Sequence, residues 1–203
     1  MLRLKYIFVP DREEFRDSGS KTAYDTVNMD GQTFRVLERT DGLGHLHLIY
    51  DYEVITERDR IFAAMASNFD PAKKVILESQ PQPVPEKPAS GNGGEVRIID
   101  SSTDHMSIQA ELTSPAILLI TDGYNRDWRA SSLEGSAQTR YQVIPANYVL
   151  MAVPLLSGRH HFRLEYSPKM FEVGKWISIA SLAAFLAGTG WLMWFGKRKF
   201  ITS

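Results

Sequence analysis

The side chains with the clearest chemical potential in this 203-residue sequence are histidines, aspartates and a few aromatics. His45 and His47 stand two apart with Asp51 close behind. Alternate residues of a strand share a face, and such a pair can begin a zinc site. No third ligand follows at a fixed spacing, so the pair reads as surface imidazoles and no metal is expected. His160 and His161 are adjacent and face opposite ways in a strand, so they cannot share a site. Asp100, Asp104, Asp122 and Asp127 are the candidate acids. Glycoside hydrolysis needs two carboxylates at a set separation, whereas these four fall at turn signals, where Asp bonds the backbone. Gly91-Asn92-Gly93-Gly94 does not join a strand to a helix as a phosphate loop does. There is no Gly-x-Ser-x-Gly elbow and no cysteine for a nucleophile, a disulfide or a thiolate site. The reading is of no catalytic residue and no cofactor.

Tyr124 and Trp128, with Asn147 as a polar partner, are the candidate binding residues. Aromatic faces stack on sugar rings, which makes a glycan the candidate ligand. A tryptophan in a β-sandwich also packs between its sheets, and both roles stay open for Trp128.

These residues sit among strand signals. Residues 95–168 read as an antiparallel β-sandwich: Glu95–Asp100, His105–Leu112, Ala116–Thr121, Arg140–Pro145, Tyr148–Val153 and His160–Tyr166 are short strand-like runs separated by turn residues. Residues 1–78 read as a small α+β part. Leu4–Val9, Gln32–Glu38, Leu46–Tyr50 and Val75–Leu77 are strand-like. Thr56 is a candidate N-cap for a helix carrying Ile61, Phe62, Met65 and Phe69, which Asp70-Pro71 ends. Between these parts, residues 79–94 hold four prolines and three glycines and predict a linker.

The C-terminal stretch Trp176–Phe195 has 20 residues without a charge. At 1.5 Å per residue that is roughly 30 Å, the thickness of a hydrocarbon core. A transmembrane helix is predicted over 171–196, with Trp176, Trp191 and Trp194 at the interfaces. Ala180, Ala184 and Gly188 recur every four residues, a face by which other transmembrane helices could approach. The basic tail 197–203, through Lys197, Arg198 and Lys199, assigns the C-terminus to the cytoplasm and the β-rich part to the outside of a bacterial inner membrane. Residues 1–168 hold 18 basic and 23 acidic side chains. That balance argues against nucleic acid, whose binding rests on a basic patch. The N-terminal apolar run is too short for the core of a signal peptide, which leaves the exported placement in need of another source.

Tyr124, Trp128, Gly135, Asn147-Tyr148, Gly158 and Tyr166-Ser167-Pro168, in this order and followed at once by the apolar helix, resemble the C-terminal region of the bacterial YfhO-like membrane proteins. The N-terminal LRLKYIFV and Tyr50-Asp51-Tyr52-Glu53 match that pattern too, so the resemblance covers nearly the whole chain. Asp127 stands where the family usually has glycine before the tryptophan, which bears on the local turn. The family is polytopic and similar to glycosyltransferases that use lipid-linked sugars, with the catalytic acid in an early extracytoplasmic loop to which nothing here corresponds. The resemblance therefore implies the end of a longer polytopic protein: an extracytoplasmic accessory domain with its last helix, tied to cell-envelope glycan or lipid-linked sugar transfer and not catalytic alone. The alternative is a stand-alone, membrane-anchored carbohydrate-binding sandwich.

If the tail is the anchor, a chain truncated after Pro168 moves from the membrane pellet to the soluble fraction after an alkaline carbonate wash, and the full chain stays in the pellet.

Overall fold

A computed structural model describes residues 6–10, 20–39, 42–89, 91 and 93–199. The expected strand residues Leu4 and Lys5 and the tail beyond Lys199 lie outside the described residues, as do the side chains of Trp194, Phe195, Lys197, Arg198 and Lys199. The fold is mainly β, with antiparallel sheets and one long C-terminal helix.

The chain opens with β1 (Tyr6–Pro10), β2 (Ser20–Met29) and β3 (Gln32–Arg39), which form a three-stranded sheet ordered β1-β3-β2. Asp30 and Gly31, both at positive φ, make the β2–β3 turn, the Asp-Gly signal of a tight hairpin. Then come β4 (Leu46–Ile49), β5 (Asp51–Val54), α1 (Arg58–Ala66) and β6 (Lys74–Leu77). The remaining strands are β7 (Gly94–Ser101), β8 (His105–Leu112), β9 (Ala116–Gly123), β10 (Trp128–Ser132), β11 (Arg140–Tyr141), β12 (Ile144–Ala146), β13 (Leu150–Leu155) and β14 (Gly158–Tyr166). Two sheets result, one ordered β11-β10-β14-β8-β7 and the other β4-β9-β13-β12-β6-β5. β10 with β11, β14 and β7 with β8, β12 with β13 and β6, and β13 and β4 with β9 pair antiparallel, and β5 pairs parallel with β6.

This topology revises the expected division of the chain. Strands β4, β5 and β6 come from the part read as a separate α+β unit, yet they complete the six-stranded sheet around β9, β12 and β13. The 79–94 segment therefore connects the two sheets of one sandwich. The expected strand Arg140–Pro145 is also split. Tyr141 pairs with Ala130 in one sheet and Ile144 with Ala152 in the other, so the chain changes sheets between them.

The core follows from strand alternation. Leu118 and Ile120 on β9, Met151, Val153 and Leu155 on β13, Ile108 on β8 and Phe162 and Leu164 on β14 meet between the two sheets. The intervening Ile117 and Leu119, with Ile49, Val75, Leu77, Ile144 and Ala152, form a second buried cluster on the opposite face of the six-stranded sheet. Every residue of β9 from Ala116 to Ile120 is fully buried, which explains a run of aliphatics with no polar alternation.

Two elements cover what the five-stranded sheet does not. Helix α1 buries Ile61 against Ile55 and Ile76. Its N-cap is Glu57 without a side-chain cap bond, in place of the expected Thr56, and it ends at Ala66, where the Ser67 hydroxyl donates to the Ala64 carbonyl. On the opposite face, Tyr52 packs on the second cluster and its hydroxyl donates to Gln80 Oε1 at 3.5 Å. The Glu86 N–H reaches the Pro115 carbonyl at 2.8 Å, just before β9. Pro81 and Pro85 are buried. The proline-rich segment is thus a fixed strap. Its far end needs glycine: a Cβ on Gly93 would lie 1.7 Å from the Tyr50 hydroxyl oxygen, and Gly94 has φ +136°.

The C-terminal helix α2 (Lys169–Lys199) is a unit of its own, and only Ser167 and Pro168 separate it from β14. Its stretch Lys169–Trp191 is long and apolar enough to cross a membrane, has a mean hydropathy of 1.4 and has no buried share. An apolar surface such as Trp176, Ile177, Leu182 and Phe185, each more than half exposed, is what lipid solvates at no cost.

A buried polar network closes the β11–β14 corner. His160, fully buried, donates from Nε2 to the Leu156 carbonyl at 2.8 Å, so its Nδ1 is the acceptor for the Tyr141 hydroxyl, also at 2.8 Å. The Tyr141 oxygen in turn accepts from Ser136, whose Oγ takes the His161 N–H at 3.1 Å. Burial holds the His160 imidazole below its usual 6.5 and outweighs the carbonyl bond, which acts the other way. The unfolded chain therefore gains a proton there that the folded chain refuses. This contribution to stability is complete above 6.5 and is lost as pH falls below it. Urea midpoints measured between about pH 5 and 8 should drop on the acid side, and His160→Gln should flatten that drop while lowering the midpoint at the alkaline end.

Candidate functional site

The three binding candidates converge on one end of the sandwich, but they do not do the same thing there. Strand β9 ends at Gly123 in one sheet and β10 begins at Trp128 in the other, so Tyr124 and Trp128 bracket the crossing. The crossing is a tight turn on Asn125, whose Oδ1 accepts the Asp127 N–H at 3.0 Å and whose carbonyl accepts the Trp128 N–H at 3.1 Å. Asp127, in the place of the expected glycine, thus serves by its backbone. The Tyr124 N–H donates to the Val149 carbonyl at 2.8 Å and ties the crossing to the β12–β13 turn that carries Asn147. Tyr124 and Trp128 are half-buried, their rings packed on the inter-sheet core. Trp128 therefore takes the packing role and is only partly exposed.

Asn147 is fully buried, so its side chain cannot reach a surface ligand. Its Oδ1 accepts the Ile76 N–H at 2.9 Å and its own N–H donates to the Ile76 carbonyl at 2.8 Å. It therefore pairs with β6 as a strand residue would, using a side-chain oxygen for one of the two bonds. The turn it starts is strained: Asn147 and Tyr148 have φ of 46° and 68°, and the Val149 N–H closes on the Asn147 carbonyl at 2.8 Å. Positive φ in a bulky residue persists only when its surroundings enforce it. Here the Tyr148 ring lies 4.7 Å from the Phe62 ring on α1, and the Arg58 guanidinium stands 5.5 Å from both.

At the end of β9, two residues before Tyr124, Asp122 pairs with His45, their Oδ2 and Nε2 2.7 Å apart and both side chains partly exposed. The Thr121 hydroxyl donates to the Gly44 carbonyl at 3.1 Å, and its N–H donates to the His45 carbonyl at the same distance, which holds the segment before β4 in place. This pairing lay beyond sequence reasoning, because the partners are 77 residues apart. The signal available was a histidine just before one strand and an aspartate at the end of another. His47 does not join it. Its Nε2 is buried, with no hydrogen-bond partner. Among the described residues no group of three or more His, Asp or Glu side chains is placed to hold a metal ion.

The other candidate acids stand elsewhere. At the β7–β8 turn the His105 imidazole bridges Asp104 (Nδ1–Oδ1 2.9 Å) and Asp100 (Nε2–Oδ2 3.0 Å). The bond to Asp104 foremost, then that to Asp100, raises the His105 imidazole above its usual 6.5. Both carboxylates are thus spent on one histidine. No protein-family model, curated protein or solved structure matches the chain.

Asn147→Ala should leave the Ile76 N–H buried and unpaired and lower stability by about 1–3 kcal/mol. Chemical denaturation of the full chain in detergent micelles measures this loss.

Proposed function

We propose that this chain is a membrane-anchored accessory module, an extracytoplasmic β-sandwich with its last transmembrane helix, in a YfhO-like glycan-transferring membrane protein. In this reading it contacts sugar through Tyr124 and Trp128 and carries out no transfer itself. The observation that supports the reading best is the end of the sandwich just described. Two half-buried aromatic rings flank the sheet crossing that follows Asp122, which pairs with His45, and two residues after β14 the chain enters a helix apolar enough to cross a bilayer. Held rings with one open side offer an apolar platform to a sugar face at little entropic cost. The His–Asp pair adds a donor and an acceptor for hydroxyls.

A non-catalytic role is supported by the way the titratable groups are used. Asp100 and Asp104 are engaged by His105, and His160 is sealed in the corner network. Orientation rests on Lys197, Arg198 and Lys199, which by the positive-inside rule stay in the cytoplasm.

Purified full-length protein in micelles should bind cell-envelope glycan on a sugar array. Trp128→Ala should weaken that binding about tenfold or more per folded molecule and also lower the unfolding midpoint, because the ring packs on the inter-sheet core, and Trp128→Phe should keep part of both. Unfolding of Trp128→Ala with wild-type binding by Trp128→Phe would assign the ring to packing alone. Sugar transfer by the isolated chain would overturn the accessory role.

A further inference from the structure

The three-stranded sheet β1-β3-β2 leaves one apolar face exposed. Paired residues of neighbouring strands share a face. Register therefore puts Phe8, Val36 and Tyr24 in one row, Pro10, Phe34 and Val27 in the next, and Gln32 beside Met29. Tyr6, Glu38 and Lys21 make the row at the other end. Val36 is 4% exposed, whereas Tyr6, Phe8, Tyr24 and Met29 are between 44% and 64% exposed. The charged side chains in these rows are Lys21 and Glu38 alone, both in that end row. A depression of about 470 Å³ lies between Phe8, Met29, Asp30, Gln32 and Phe34.

Connectivity puts this sheet at the end of the sandwich from which the apolar helix departs. Strand β3 leads towards β4, whose first residue, Leu46, pairs with Ile120 late in β9, and the Thr121 N–H donates to the His45 carbonyl there. Strand β9 starts at Ala116, just after β8 ends at Leu112, and β14 starts at Gly158, opposite that same Leu112. Both strands therefore run away from Leu112, and Gly123 and Tyr166 finish at the far end together. Chain length alone limits Arg39 to Leu46 to at most about 25 Å, and Tyr166 to Lys169 to at most about 11 Å.

We infer that the apolar face of β1-β3-β2 rests on the bilayer that α2 enters, with Phe8, Tyr24 and Met29 at the boundary between headgroups and acyl chains. The inference rests on α2 as the membrane span and adds a second lipid contact to it. The occupant follows from charge, area and tether. With one basic and one acidic side chain in the same row, the face has no net charge to attract a charged partner. Tyrosine is favoured at the membrane interface, where its apolar ring and polar tip are both satisfied. A fully exposed aromatic side chain presents roughly 150–250 Å², so the four exposed ones leave on the order of 400 Å². That is about half of the roughly 800 Å² that each partner buries in a stable protein complex. A helix already in the bilayer makes up the deficit, because a tethered contact forms at high effective concentration. Mobile acyl chains also fill the depression beside Phe34, where a rigid partner would forfeit dispersion contacts.

The chain has no cysteine, so a single introduced thiol reports on one position. The full-length protein carrying Tyr24→Cys or Thr22→Cys is labelled with the fluorophore NBD and placed in phosphatidylcholine nanodiscs, one copy per disc. Thr22 is exposed and pairs with Leu37 on the opposite face, so it serves as the control. The label at residue 24 should emit at shorter wavelength than the label at residue 22. Phosphatidylcholine spin-labelled near the top of its acyl chain should quench it several-fold more, equally at low and high salt. Phe8→Ser/Met29→Ser should remove at least half of that difference. If this double variant loses its β signal by circular dichroism, Phe8→Ser alone takes its place with the same expectation. Equal quenching at both positions, in protein that has entered the discs, would overturn the inference and leave the anchor standing. Protein that stays out of the discs would overturn both. A blue shift at residue 24 that needs several copies per disc and ignores the spin label would assign the face to a second copy and overturn the inference.

Discussion

The fold depends on burying both faces of the β4-β9-β13-β12-β6-β5 sheet. Its central strands are aliphatic on both sides, so each face needs a cover. The five-stranded sheet covers β4, β9 and β13 on one face, and α1 covers the β6 end of that face. On the other face Val75, Leu77, Ile117, Leu119 and Ile144 are at most 2% exposed. A fully buried aliphatic side chain contributes roughly 1.5–3 kcal/mol. Five of them together rival the whole net stability of a domain, about 5–15 kcal/mol. Tyr52 packs on this cluster and is tied to the strap at Gln80, and the strap itself buries Pro81 and Pro85, although its composition is that of a loop.

The polar interactions are placed where this hydrophobic arrangement leaves backbone groups unpaired. Asn147 extends the ladder beside Ile76 at a turn where the strand β12 has run out. Gln138 works in the same way: its amide Nε2 donates to the Arg140 and Pro154 carbonyls, and its Oε1 accepts the Leu156 N–H. The Ser136–Tyr141–His160 network satisfies the corner where the chain changes sheets. The Asn147 turn lies at the end of the sandwich that carries Tyr124, where the Tyr124 N–H donates to the Val149 carbonyl, whereas Gln138 and the Ser136–Tyr141–His160 network hold the opposite end of β13.

Much of the β architecture was legible from local pattern. His105–Leu112 reads directly as a strand, and the alternation of Phe162, Leu164 and Tyr166 marks β14. Trp128–Ser132 carries no strand pattern, because two serines and an arginine next to a turn give little apolar signal. Ser20–Met29 is equally illegible: it is mostly polar and its pairing with β3 has irregular register. Of the candidate site, the aromatic pair was visible as residue types. The burial of Asn147 and the joining of His45 to Asp122 were not, since both depend on segments more than 70 residues apart.

The sequence by itself determined the class of the fold and the apolar helix, because alternation with period two and an uncharged run of 20 residues are local properties. Only the tertiary structure decided which strands share a sheet. The proline- and glycine-rich run looked like a boundary because those residues cannot form regular structure. Strand pairing is set by backbone hydrogen bonds between distant segments: β4 pairs with β9 and β6 with β12, so Leu46–Leu77 belongs with Ala116–Leu155, and residues 79–94 connect the two sheets of one sandwich.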